Sequence, residues 1–226
     1  MTDSKVAYHP DEREKMNDNK IRERRDESVR RILDAAMELF SEVGYEGARV
    51  DEIARRAGVN KAMIYYRIGD KKTLYEDVLH DVFGDTAERI ALNIKDDLSP
   101  EEKIRTYIAG LATTMAQHPC LPRIMMREVA SGWSHFSEVV IKDIGGILVI
   151  VRSIIDEGVK KGVFININPV VVHLMVIGTM LLFNLSMPVR EKFYHLFEGK
   201  IDTLNKDSLI NIVPEIQGMI LRALKA

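Results

Sequence analysis

The sequence predicts an all-α fold, and three observations carry that prediction. Apolar residues recur at three- and four-residue spacing along most of the 226 positions. No alternating apolar–polar run of useful length marks a strand, and there are no internal repeats. The candidate helices are bounded by side-chain caps, glycines and prolines of the kinds that helix ends favour.

Residues 1–24 carry mixed charge, few apolar side chains and no periodicity, the composition of a flexible arm. The basic Lys20, Arg22, Arg24 and Arg25 there are either a strand that wraps toward a polyanion or a solvated tail. From Asp26 the pattern changes. Val29, Ile32, Leu33, Ala36, Met37, Phe40 and Val43 form a helical stripe, with Gly44 placed to cap its end. "VDEIARRAG" reads as a helix of about two turns closed by Gly58, and "VNKAMIYYRI" as a second short helix stopped by Gly69. Asp70 can cap the next helix, whose apolar positions include Leu74, Val78, Leu79 and Phe83. Ser99-Pro100-Glu101-Glu102 is a capping box with proline at the first helical position. Pro119 and Pro122 punctuate a break before "RIMMREVA". A long pattern from about Ser137 to Lys161 contains Gly145-Gly146, read as a kink or a close-packing point. Asn168-Pro169 opens an uncharged helix, and Asp207 or Ser208 the last one, with Pro214 inside it.

Composition narrows the functional classes. Net charge is −2 and the pI near 6.3, with 46% hydrophobic residues, so the chain can bury a substantial core and has no global basic character. Residues 20–72 nevertheless carry thirteen Lys/Arg against ten Asp/Glu, leaving the rest of the chain at −5. Cys120 is alone, which excludes an internal disulfide framework, and the polar N-terminus resembles neither a signal nor a transit peptide. A cytosolic protein is expected. Between Ile165 and Val189 there is no charge before Arg190, but Asn166, Asn168, His173, Thr179 and Asn184 scatter polar atoms through the stretch. A helix buried in a core and against a partner chain accounts for it better than a membrane span. The six histidines lack metal spacing, and neither a phosphate loop nor a nucleophile elbow is present. No enzyme, cofactor or metal is expected.

"GVNKAMIYYRIGDKKTLY", residues 58–75, crowds three tyrosines, an arginine and three lysines onto a short segment. Two short helices separated by Gly58, after a longer one, have the parts of a helix-turn-helix, whose second short helix enters the DNA major groove. Val50, Ile53, Ala54 and Ala57 would pack inward and Val59 and Ile64 would seat the second helix. Lys61, Met63, Tyr65, Tyr66 and Arg67 would share the exposed face. Tyr65 is either a phosphate-gripping or a core tyrosine, and Met63 either a base-edge contact or packing.

Across residues 27–80 the chain resembles the TetR family of bacterial transcriptional regulators. The matching residues are Leu39-Phe40, Gly44-Tyr45, Ile53-Ala54, Ala57-Gly58-Val59, Lys61, Tyr65, Lys71 and Leu74. Asn60, Ala62, Met63, Arg67 and Ile68 depart from the usual serine, glycine, threonine, tyrosine and phenylalanine, and Arg49 replaces the usual Ser/Thr. The resemblance implies that Lys61, Ala62 and Met63 face base edges or the sugar rim, while Tyr65, Tyr66, Arg67 and Lys71 grip phosphates and Arg49 can reach one. It implies residues 25–72 as the DNA-binding domain and 73–226 as a ligand-binding and dimerisation domain. The expected partners are an operator duplex, a second copy through helices at about 169–187 and 208–224, and a small inducer. Repression is the family's usual mode.

Met115, Met125, Met126, Trp133, Phe136, Met175 and Met180 are the candidates to line a cavity for a largely apolar ligand, or else are ordinary core. The far end of the fourth helix, Ala91 to Ile94, is expected beneath that cavity, and Leu181 and Leu182 at the dimer face. The competing reading is a helical binding module that does not engage DNA specifically.

Overall fold

The computed structural model of the protein describes residues 10–196 and 209–226. Its elements are ten helices: α1 (Pro10–Gly47), α2 (Val50–Ala57), α3 (Lys61–Arg67), α4 (Lys71–Asn93), α5 (Pro100–Gln117), α6 (Leu121–Ala130), α7 (Glu138–Lys160), α8 (Pro169–Leu185), α9 (Met187–Leu196) and α10 (Leu209–Leu224). The all-α expectation holds; among the described residues the one β contact is an isolated bridge between Phe164 and Lys225.

The cap signals act where the sequence put them. Asn60 accepts from the Ala62 N–H and Asp70 from the Thr73 N–H, each at 2.9 Å. Ser99 and Glu102 complete a reciprocal capping box, and Asn168 accepts from the Val170 N–H at 2.9 Å. Each satisfies an amide that the helix start leaves without an internal partner. Gly58 is left-handed (φ 64°) and its N–H returns to the carbonyls of Ala54 and Arg55, so the turn between α2 and α3 needs a residue without a Cβ penalty there. Gly44 (φ 76°, ψ 174°) breaks α1 where its apolar stripe ends, and one more turn follows.

Two expectations need revision and a third is narrowed to one of its alternatives. The arm expected at 1–24 is helical from Pro10 onward; residues 1–9 lie outside the described residues. Its Glu, Lys and Arg are good helix formers, and α1 already has a nucleus farther along, so extension needs no apolar stripe of its own. Gly145-Gly146 produces no break in α7. The close-packing alternative is the one that fits, since a Cβ at Gly146 would lie in ordinary contact, 3.8 Å, with that of Ala87 on α4. Finally, α9 went unpredicted, although Pro188 in its first turn marks the start. The proposed opening of α10 at Asp207 or Ser208 lies outside the described residues, and Pro214 lies within the helix.

The packing explains where a site can form. α1, α2 and α3 close on one another through Ile32, Phe40, Ile53 and Ile64, each essentially fully buried. α4 leaves this cluster and runs between α5 and α7, while α10 lies along α5 and α8. Close approach depends on two glycines, because a Cβ at Gly110 would strike Ile90 and one at Gly158 would overlap Phe164. No single described helix is long and apolar enough to cross a membrane; α8 and α9 reach that length only together, and they meet at a bend of 56°.

Candidate nucleic-acid interface and apolar cavity

The short helices present one polar face. Ile64 of α3 is fully buried and Val59 packs against the same core, which anchors the inner side of α3. Lys61, Ala62, Tyr65 and Tyr66 lie on the outer side, with Tyr66 88% exposed and Tyr65 49%. A tyrosine that buries almost none of its ring contributes little to folding, which leaves the side chain available to a partner outside the chain. The core alternative for Tyr65 is thereby set aside. Met63 and Arg67 are half-buried, and Arg49 is exposed in extended backbone just before α2. Lys61 forms an ion pair with Asp51 of α2 at 2.8 Å.

Lys71 is partly committed within the chain. Its ammonium donates to the Tyr45 carbonyl at 3.0 Å and sits 4.4 Å over the Tyr45 ring, leaving two N–H groups for anything outside. Arg56 holds α2 against α1 by a bidentate pair with Glu42 (2.8 and 2.7 Å) and also donates to Glu52. Hydrogen bonds from Arg55 and Arg56 hold the Glu52 carboxyl down at about 2. The helix-turn-helix is therefore ordered by its own ion pairs, which take only Lys61 from the outer face of α3.

Sequence reasoning missed the joint between this unit and the rest. Glu128 of α6 is buried, yet it accepts from the Tyr75 hydroxyl at 2.8 Å and contacts His135 Nδ1 at 3.0 Å. The His135 ring lies against Tyr45, tilted by 33° with 4.5 Å between centroids, and Tyr45 meets Tyr75 edge-on at 5.1 Å. Arg127 donates to the Glu42 carbonyl at 2.8 Å and lies over Gly44. A readable signal existed. Leu121, Ile124, Met125 and Glu128 fall at i, i+3, i+4 and i+7, which puts the acid on the buried face of α6.

Beyond this joint lies a cavity of about 410 Å³ between α4, α5, α6, α7 and α8, within the roughly 300–1,000 Å³ of small-molecule sites. Met115, Met125, Met126 and Trp133 line it as expected. Phe136, Met175 and Met180 do not. Phe136 packs behind Trp133 and Phe83, with ring centroids 5.1 and 6.3 Å away. On α8 the lining residues are Val170, His173, Leu174, Ile177, Gly178, Leu181 and Leu182, one stripe at three- and four-residue spacing. Met175 falls on the outer face and Met180 on the opposite, fully buried one. Residue type had suggested the methionines; helical phase rules on them. α4 reaches the cavity through Phe83 and Thr86 near its middle, and the expected Ala91–Ile94 end is not part of the lining. Met126, Val129 and Trp133 on one side, and Val170, Leu174 and Leu182 on the other, line the cavity while remaining largely exposed, so it opens outward between α6 and α8.

A compact helix-turn-helix joined by one continuous helix to a helical body with an apolar cavity defines a helix-turn-helix regulator. The chain belongs to the TetR family: residues 32–78 match the model for bacterial regulatory proteins of the tetR family, and residues 97–218, over half the chain, match that for a tetracyclin repressor-like C-terminal domain. Among curated relatives it is 30% identical over 135 residues to the HTH-type transcriptional repressor NicS of Pseudomonas putida, covering 59% of this chain and 64% of that protein. It is 27% identical over 131 residues to the fatty acid metabolism regulator protein of Bacillus subtilis, covering 58% and 68%. The match thus spans just under two thirds of the first relative. In fold it resembles a tetR-family regulatory protein from Rhodococcus RHA1 (TM-score 0.70, 16% identity, 88% and 97% covered). It also resembles the Bacillus subtilis regulator FadR in complex with stearoyl-CoA (TM-score 0.62, 20% identity, 86% and 98% covered).

Proposed function

We propose that the chain is a cytoplasmic transcriptional repressor that binds a pseudo-palindromic operator as a symmetric dimer and is released by a small, largely apolar ligand. The observation that carries this reading is continuity. α4 begins three residues after α3, at Lys71, and reaches the cavity with Phe83 and Thr86 on the same rigid helix. We take residues 25–72 as the DNA-binding domain and 73–226 as the ligand-binding and dimerisation domain, with α4 crossing that boundary.

In this reading Lys61, Ala62 and Met63 face base edges. Tyr65, Tyr66 and Arg67 grip phosphates from α3, with Arg49 and the remaining N–H groups of Lys71 reaching the flanking backbone. The dimer forms through α8 and α10, whose outer faces expose Val171, Leu174, Met175 and Leu182 together with Ile210 and Met219. An isologous four-helix packing would cover these apolar side chains. Because Leu174 and Leu182 also line the cavity, the partner would lie across its mouth.

Selection from random duplexes tests the reading. A pseudo-palindrome with half-sites about one helical turn apart, roughly 34–36 Å, is expected. Enrichment of no palindromic site would favour a helical ligand-binding module without specific DNA binding.

A further inference from the structure

Twenty of the described residues line the cavity and none of these carries a charge. Apart from the Trp133 indole, at the half-exposed mouth where water can reach it, the lining has three polar side chains: Thr86, Thr114 and His173. Two of these are already satisfied. The Thr86 hydroxyl bonds the Val82 carbonyl at 2.6 Å and the Thr114 hydroxyl at 2.8 Å, while Thr114 also bonds the Gly110 carbonyl and accepts from Arg89. His173 is different.

His173 is only 9% exposed. Its Nδ1 is 2.5 Å from the hydroxyl of Tyr107, a fully buried tyrosine with no other polar partner among the described residues. The phenol has one proton to place, and Nδ1 is the one acceptor beside it. If the imidazole carried its proton on Nδ1, the phenolic proton would be stranded in the core, so the hydroxyl donates and the ring proton resides on Nε2. Burial keeps both groups neutral, lowering the imidazole pKa and raising that of the phenol. Among the described residues Nε2 makes no hydrogen bond, and His173 is one of the residues that line the cavity. The cavity wall therefore holds one preset, unspent donor.

We propose that the ligand is a neutral, mainly hydrocarbon molecule bearing a carbonyl-type acceptor that receives the His173 Nε2–H, and that the cavity discriminates against carboxylates. This rests on the ligand-release reading above and narrows it. A hydrocarbon would leave the donor dry and unpaired, whereas a carboxylate would meet a lining without charge, since the Arg89 guanidinium stands behind the wall, held by Thr114 and Gln117. An uncharged acceptor avoids both penalties.

The test uses the full-length protein and displacement of the neutral fluorophore N-phenyl-1-naphthylamine by 2-decanone, decane and decanoate. For the unaltered chain, 2-decanone should displace the dye roughly tenfold more effectively than decane, as expected when a buried donor gains its partner, with decanoate weakest. In His173→Phe the ketone-to-alkane ratio should fall to near one. His173→Gln, which keeps a side-chain N–H, should restore part of it and guards against a folding defect in the first variant. Gly178→Leu, which fills open space on the lining stripe, should reduce binding of dye and probes alike. Equal binding of ketone and alkane to the unaltered protein, or a ratio that survives His173→Phe, overturns the donor assignment while leaving an apolar ligand site standing. Preference for decanoate overturns the neutral class. Failure of dye and all probes to bind would overturn the ligand-site reading itself, and this inference with it.

Discussion

Tyr66 projects almost wholly into solvent, so replacing it removes little packing. Tyr66→Ala should leave unfolding free energy within about 0.5 kcal/mol of the parent while weakening DNA binding about equally across sequences, as loss of a phosphate contact does. Anisotropy titrations on an operator and on a scrambled duplex check this; a change confined to the operator would place Tyr66 at a base instead. His173 is the opposite kind of residue, buried and neutral, with its pKa pushed down to about 4 by desolvation. The unfolded imidazole takes up a proton near 6.5, whereas the folded one resists until about 4. Between those values the unfolded state binds more protons, so stability is lost as pH falls through the window. The loss levels off below pH 4, at about 3 kcal/mol from this group. Urea unfolding at steps from pH 7 to 5 should show the decline, with a shallower slope in His173→Phe.

At the scale of elements, the joint between α1, α4 and α6 turns on Glu128. The carboxylate is acceptable in a buried place because Tyr75 donates to it and His135 Nδ1 lies within hydrogen-bond distance. Tyr75→Phe removes a donor and leaves the charge under-solvated, which should destabilise the fold by about 1–3 kcal/mol. Glu128→Leu removes the charge as well, so the double variant should be more stable than the sum of the two singles implies. Additive effects in a double-mutant cycle would show that the Tyr75–Glu128 bond is not energetically coupled. The packed Tyr45, His135 and Lys71 make this joint a firm seat for the helix-turn-helix, so a ligand that moves α4 has to act against it.

For the whole molecule, neighbouring leucines on α8 separate two functions. Leu181 is 6% exposed in the single chain and lines the cavity, so it reports on folding and ligand rather than on the dimer face where the sequence had placed it. Leu182 is 61% exposed. Leu182→Glu should be tolerated by the monomer fold and should dissociate the dimer, since a partner would bury an unpaired charge at a cost of several kcal/mol. Sedimentation showing an intact dimer would move the interface elsewhere. The switch itself obeys linkage. An inducer that weakens operator binding must bind the operator-bound protein more weakly by the same factor. Calorimetry with and without operator measures that factor; no difference, for a compound that releases DNA, would exclude coupling through α4.

What the sequence by itself determined is local. Apolar spacing, the caps at Asn60, Asp70, Ser99 and Asn168, and the glycines at 44 and 58 report interactions that span a few residues, so they are readable without knowing the fold. The inward and outward sides of α2 and α3 follow for the same reason. The tertiary structure decided whatever depends on residues distant in the chain. It assigned the cavity to a phase of α8 that excludes Met175 and Met180, because lining is set by direction from a helix axis and not by residue type. It brought Phe83 and Thr86 to the cavity instead of the end of α4. It also joined Tyr75 to Glu128 across 53 residues and Tyr107 to His173 across 66. A buried polar group must find a partner, and which partner it finds is settled only when the helices pack.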